Sequence, residues 1–189
     1  TNGTTHASTS LSNVSYLEIG AHVNTAFAGV GSIGFELTDV GFGMVMVSDT
    51  KGTVATTDDV NYMALKADVG SASLVGIDGL TASVTSLSVI VNKTSSLTAP
   101  NTVLDFADSA ETINTTDTDA ASRSIATGPT SPAVSLDVDG DEGVLLQVMA
   151  NLSLDVFGFV KLDGSMAFKK ATGSFVLTNG TTHASTALS

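Results

Sequence analysis

The sequence predicts an all-β chain, with long antiparallel strands in a sandwich- or barrel-like repeat module stacked end to end; a β-solenoid is the alternative. Three observations predict it. Apolar residues recur at every second position along much of the chain, as in Leu17, Ile19, Ala21 and Val23 and again through 144–162, which is the period of an extended strand. No segment from 13 to 92 carries the capped i, i+3, i+4, i+7 stripe of an amphipathic helix. The first and last dozen residues are near-duplicates: TNGTTHASTSLS at 1–12 and TNGTTHASTALS at 178–189 differ only at Ser10 and Ala187. Self-similarity at a fixed period marks an array, so the chain reads as one period of a tandem repeat plus the start of the next copy.

In chain order, residues 1–12 open the repeat and residues 13–92 form a β-rich first half. Residues 13–30 alternate, with Leu17, Ile19, Ala21, Val23 and Phe27 on one side and Glu18, His22 and Asn24 on the other. In the next strand Ile33, Phe35 and Leu37 have one parity and Phe42, Met44 and Met46 the other. A change of face in mid-strand predicts a bulge or turn near residues 39–41. DTKGTVATTDD is a loop, and residues 60–92 supply two or three further strands with a turn signal at Asp78 and Gly79. Residues 93–132 hold all three prolines and mostly Ser, Thr, Asp and Ala. So polar an excursion must be ordered by lying on something else, and Leu104 and Phe106 are its anchors. Residues 133–177 form a β-rich second half. Within it, 144–162 keeps one apolar parity for nineteen residues, predicting either a long strand bent at Gly158 or a split near residues 150–151. A turn is expected at Asp163 and Gly164. Residues 178–189 begin the next copy, with β pattern on both sides of the seam. Phe175, Leu177, His183 and Leu188, with His6, Leu11, Tyr16, Leu17 and Ile19, are the expected junction residues.

Composition narrows the chemistry. Seven Lys and Arg stand against 19 Asp and Glu, a net charge of −12, which repels phosphate backbones and anionic lipid heads. Nucleic-acid and membrane-surface binding are therefore not expected, and with no apolar run approaching the ~18 residues of a spanning helix neither is membrane insertion. With no cysteine, disulfides, thiolate metal sites and thiol nucleophiles are all excluded. Gly29, Gly31 and Gly34 fit G-x-G-x-x-G, but a dinucleotide site needs a helix to start there and FELTDVGFGMVMV is strand-like, so a glycine-rich hairpin is the reading. His6 and His183 occupy one repeat position and His22 has no companion at ligand spacing, leaving no triad or zinc site. No enzyme is expected and no cofactor is required. The one cluster with chemical interest is Asp137, Asp139, Asp141 and Glu142, whose alternating carboxylates suit Ca²⁺. The EF-hand pattern is not met, since Glu142 stands in the glycine position and Val148 where the bidentate Glu belongs. An Asp-Gly turn is the competing reading.

The segments SASLVGIDGLTASVTSLSVIVNKT and LDVDGDEGVLLQVMANLSLDVFGFVKLDGSMAFKK resemble the repeats of very large bacterial cell-surface and secreted proteins of the adhesin-like kind. The resemblance implies an extracellular or cell-surface location and neighbouring copies of the same repeat as partners. It transfers no active residues, and the GGxGxDxUx calcium nonapeptide is absent from this chain. The function expected is structural: length and stiffness for a filament, stalk, sheath or adhesin. A calcium-dependent or glycan- and cell-binding module is the alternative, and a lipid-binding β groove a weaker one.

Overall fold

The computed structural model describes residues 1–4, 7–107, 122–173, 175–178, 181 and 185–188, the last two of these in backbone only. Six strands form one antiparallel sheet: β1 (Ser15–Val30), β2 (Ile33–Asp49), β3 (Val60–Val75), β4 (Leu80–Thr94), β7 (Leu145–Val156) and β8 (Val160–Ala171), in the order β1-β2-β3-β4-β7-β8. Two short pairs accompany it, β5 (Arg123–Ile125) with β6 (Val134–Leu136), and β9 (Phe175–Thr178) with β10 (Ser185–Leu188). The described residues contain no α-helix, only a 3-10 turn at Gly140–Glu142. The all-β, sandwich-like fold expected from the alternation is what the chain adopts, and the described residues form neither a closed barrel nor a solenoid.

Strands of up to 17 residues divide into a near half, where the chain enters at Ser15 and leaves at Ala171, and a far half, where β1 turns into β2, β3 into β4 and β7 into β8. Between the halves runs a crease. Asn24, Asp39, Gly70 and Ser86 are skipped in the ladders on either side of them. Asp39 and Ser86 have φ of 53° and 51°, left-handed values that cost a non-glycine residue about 1–2 kcal/mol. Between β4 and β7 the register shifts, Thr85 pairing with Asn151 and Ser88 with Met149. Two residues of β4 thus oppose one of β7, a β-bulge. Residues directly opposite each other share a face, so Thr85 and Ser88 lie on the same face although three apart. The ladders carry that inversion to Ser71 and Asp68, then Thr38 and Gly41, then Thr25 and His22. This is the parity change read in the sequence near residues 39–41.

The expected split of 144–162 is corrected. The chain turns at residues 157–159, with Val156 opposite Val160, Phe157 and Gly158 at φ 51° and 75°, and Asp155 Oδ1 accepting the Gly158 N–H at 2.8 Å. Asp163 and Gly164 are no turn: they lie inside β8, opposite Ser153 and Leu152.

The described residues of 95–143 leave the near end and fold back over one face of the near half. There β5 and β6 bring Ile125, Leu136 and Val138 onto Val45 and Ala64, the buried core, with Val47, Ile90, Leu104 and Phe106 packed around it. Leu104 and Phe106 are thus the anchors expected. The approach is so close that a Cβ on Gly20 would stand 2.2 Å from the Ala126 carbonyl oxygen. The fully buried Asn92 ties the excursion down, its Nδ2 donating to the Leu104 carbonyl at 2.7 Å.

Candidate functional site

The duplicated terminal segment has a defined local structure. In the first copy the Asn2 N–H donates to the Ala7 carbonyl at 3.0 Å, Asn2 Oδ1 accepts the Thr4 N–H at 2.9 Å, and the Thr1 and Ser8 hydroxyls meet at 2.9 Å. Asn followed by Gly favours such a reversal, because both tolerate turn conformations. The second copy repeats the closing contact: the Thr178 and Ser185 hydroxyls stand 3.3 Å apart, and β9 pairs with β10 from Thr178 opposite Ser185 to Phe175 opposite Leu188.

The first copy is seated in a cradle on the excursion. Thr1 N donates to the Val103 carbonyl and Val103 N to the Thr1 carbonyl, both at 2.9 Å. The Thr1 hydroxyl donates to Asp105 Oδ2, while Asp105 Oδ1 accepts the Gly140 N–H at 3.1 Å. Asn2 bridges to Thr102, and Gly3 N donates to the Asn101 carbonyl at 3.0 Å. The buried Asn101 side chain donates to Thr4 Oγ1 and accepts the Val144 N–H, each at 3.0 Å. Gly3 lies against Gly143 so tightly that a Cβ on Gly3 would be 2.4 Å from the Gly143 Cα. Just ahead of the second copy, Phe175, Val176 and Leu177 are exposed, Phe175 at 70%.

The expected junction residues are only partly brought together. Leu11 borders an apolar cleft of about 170 Å³ with Tyr16, Val47, Leu104 and Phe106. Tyr16 carries the Arg123 guanidinium 5.0 Å above its ring, and Arg123 Nε donates to Glu18. Leu17 and Ile19 lie on the opposite face of the sheet from that cleft. Phe175 and Leu177 belong to β9, and Leu188 enters through its backbone pairing with Phe175. His6 and His183 lie outside the described residues.

In the acidic loop the carboxylates go to separate partners. Asp137 pairs with Lys66, its two oxygens 2.8 and 3.0 Å from Nζ, and Glu142 pairs with Lys169. Asp139 caps the 3-10 turn by accepting the Asp141 N–H at 2.8 Å. With two of the four carboxylates drawn to lysines and a third spent as a cap, no three converge: among the described residues no group of three His, Cys, Asp or Glu could hold a metal. Burial pushes the Asp139 carboxyl above its ordinary value; the Asp141 N–H opposes this, and the charges of Asp141, Asp105 and Glu142 add to it.

Asn101, Val103, Asp105 and Gly143 do not stand out in the sequence. Their partners lie about a hundred residues away, and Asp105 reads there as one of several dispersed acids. Among the described residues no helix is long and apolar enough to cross a membrane. Comparison of the chain with protein-family models, curated proteins and solved structures finds no match.

Proposed function

We propose that this chain is a structural repeat module of a very large extracellular protein of the adhesin-like kind, joined to its neighbours through the hairpin that its first and last dozen residues share. The C-terminal hairpin of one copy would then be the N-terminal hairpin of the next, and the cradle at Asn101, Val103 and Asp105 would receive it. One observation carries the reading: the two copies make the same Thr-to-Ser hydroxyl contact, at 2.9 and 3.3 Å, and the first is seated in the cradle through Thr1 and Val103. The bond from Thr1 N to Val103 requires a single N–H, which a peptide amide supplies as well as an amine. Phe175, Val176 and Leu177, exposed in β9, would on this reading precede the hairpin into the neighbour and pair there with the residues equivalent to 9–11.

The test is a tandem chain in which residues 1–177 are followed by 1–189. Its second copy should melt higher than the isolated chain, and Asp105→Ala in that copy alone should abolish the gain. Equal melting temperatures, unaffected by the substitution, would mean independent beads and dispose of the reading.

A further inference from the structure

The crease gives the sheet two chemically distinct faces along its whole length. β7 has no positive φ between Leu145 and Val156, so its residues alternate strictly, and the ladders assign every other strand from it. The face bearing the β5–β6 layer carries, in its far half, rows such as Thr25, Thr38, Ser71, Thr85, Asn151 and Ser165, which water satisfies. The opposite face is apolar over most of its length, down to a polar near-end row of Ser15, Ser48 and Asn61. One far row is Ala28, Phe35, Leu74, Ala82, Leu154 and Leu162; one near row is Val23, Val40, Val69 and Leu87. Its only charged sheet residues are Lys93 and Lys170, both in the near half. None of the sheet's carboxylates is on it.

Nothing among the described residues covers this face: Phe35 is 54% exposed, Leu162 51% and Phe168 50%. The hydrophobic core beneath the other face comprises five buried residues. An antiparallel sheet tolerates water on one face, and here the face left to water is the wrong one.

We infer that a second copy of this chain packs on the apolar face, the two sheets forming a face-to-face sandwich. Strands of 12 to 17 residues at ~3.3 Å per residue, six of them ~4.8 Å apart, make a face of roughly 40–56 by ~29 Å, so two in contact bury on the order of 2,000 Å² or more, above the ~1,600 Å² of a standard stable interface. Aligned sheet packing needs matched twist, which an identical sheet supplies, and a two-fold contact sets one patch against itself. A chain of net charge −12 can meet its copy here because this face holds no carboxylate to repel another.

Sedimentation of the full chain at micromolar concentration tests this, with twice 19.0 kDa expected. Phe35→Asp and Met46→Asp, at exposed positions of the face, should each weaken association ~100-fold or more by burying an unpaired charge. Far-UV circular dichroism reports whether they fold, and the milder Phe35→Ser should weaken association less. Thr85→Asp on the opposite face should change nothing. A wild-type chain of monomer mass, folded face variants that remain dimeric, or co-extracted lipid in place of a second copy would overturn the inference. Asp105→Ala separates it from the hairpin reading: the mass should stay doubled, and dissociation would place the contact at the hairpins instead.

Discussion

Thr1 and Asp105 are joined across more than a hundred residues, the Thr1 hydroxyl donating to a carboxylate whose other oxygen holds the Gly140 N–H at 3.1 Å. One side chain therefore fastens the terminal hairpin to the turn before β7. Asp105→Ala strips the acceptor from Thr1, Gly140 and Ala107 and should cost about 3 kcal/mol in urea unfolding; Asp105→Asn, which keeps an acceptor, should cost about 1 kcal/mol. Equal losses would mean that the site is held by packing alone.

Gly20 faces the excursion with no room for a methyl group, its nearest neighbour being backbone oxygen. Gly20→Ala should destabilise by about 2–3 kcal/mol, the scale of overpacking against an atom that cannot rotate away. Hydrogen exchange should show the loss concentrated in β5 and β6, with β7 and β8 unaffected.

Asn92 is fully buried and holds the Leu104 carbonyl, although NKT at 92–94 has the form of a glycosylation sequon. Asn92→Ala should cost about 2–3 kcal/mol through the orphaned carbonyl and the space left behind. Peptide mass spectrometry of natively folded protein should find Asn92 without a glycan, because a sugar there would have to displace the excursion.

Ser86 takes φ 51° in the crease. Ser86→Gly should raise stability by about 0.5–1 kcal/mol, and Ser86→Val should lower it by about 1–2 kcal/mol, since a β-branched residue resists the left-handed region. Denaturant midpoints at constant m-value would check both.

Asp139 binds its proton more tightly in the folded chain, chiefly through burial. A group raised in this way favours folding fully at pH below its ordinary carboxylate value and loses that contribution as pH rises through the folded value. Asp139→Asn, which keeps an oxygen for the Asp141 N–H, should therefore melt higher than wild type at pH 7 and equal to it at pH 3. A gap that stays constant over that range would assign the effect to something other than titration.

Alternation alone made β1 to β4 legible, and the swap from Phe35 and Leu37 to Phe42 and Met44 announced the crease before any coordinate. The same signal misled in 144–162. A three-residue loop returns the chain with its parity preserved, so Val156 and Val160 continue one apolar series through a reversal that alternation cannot register. Asp163 and Gly164 then looked like the turn because their type suits one, whereas positive φ fell to Phe157 and Gly158. β5 went unseen because three residues of strand in a polar excursion carry no period. The cradle went unseen because Val103 and Asp105 meet Thr1 across about a hundred residues, and the ion pairs of the acidic loop went unseen because Lys66 and Lys169 reach it from distant strands.

Six strands is an even number, and so β1 begins and β8 finishes at the same end of the plank, on opposite edges of it. A fibre threaded through such modules would hang its sheets crosswise, and tension on it would bypass the strand direction. Pulled apart, the outermost strands would peel away one hydrogen bond after another instead of resisting in shear together. Rigidity in the assembled fibre would therefore have to reside in the seated hairpins, with the sheets as reserve length that pays out once those give way.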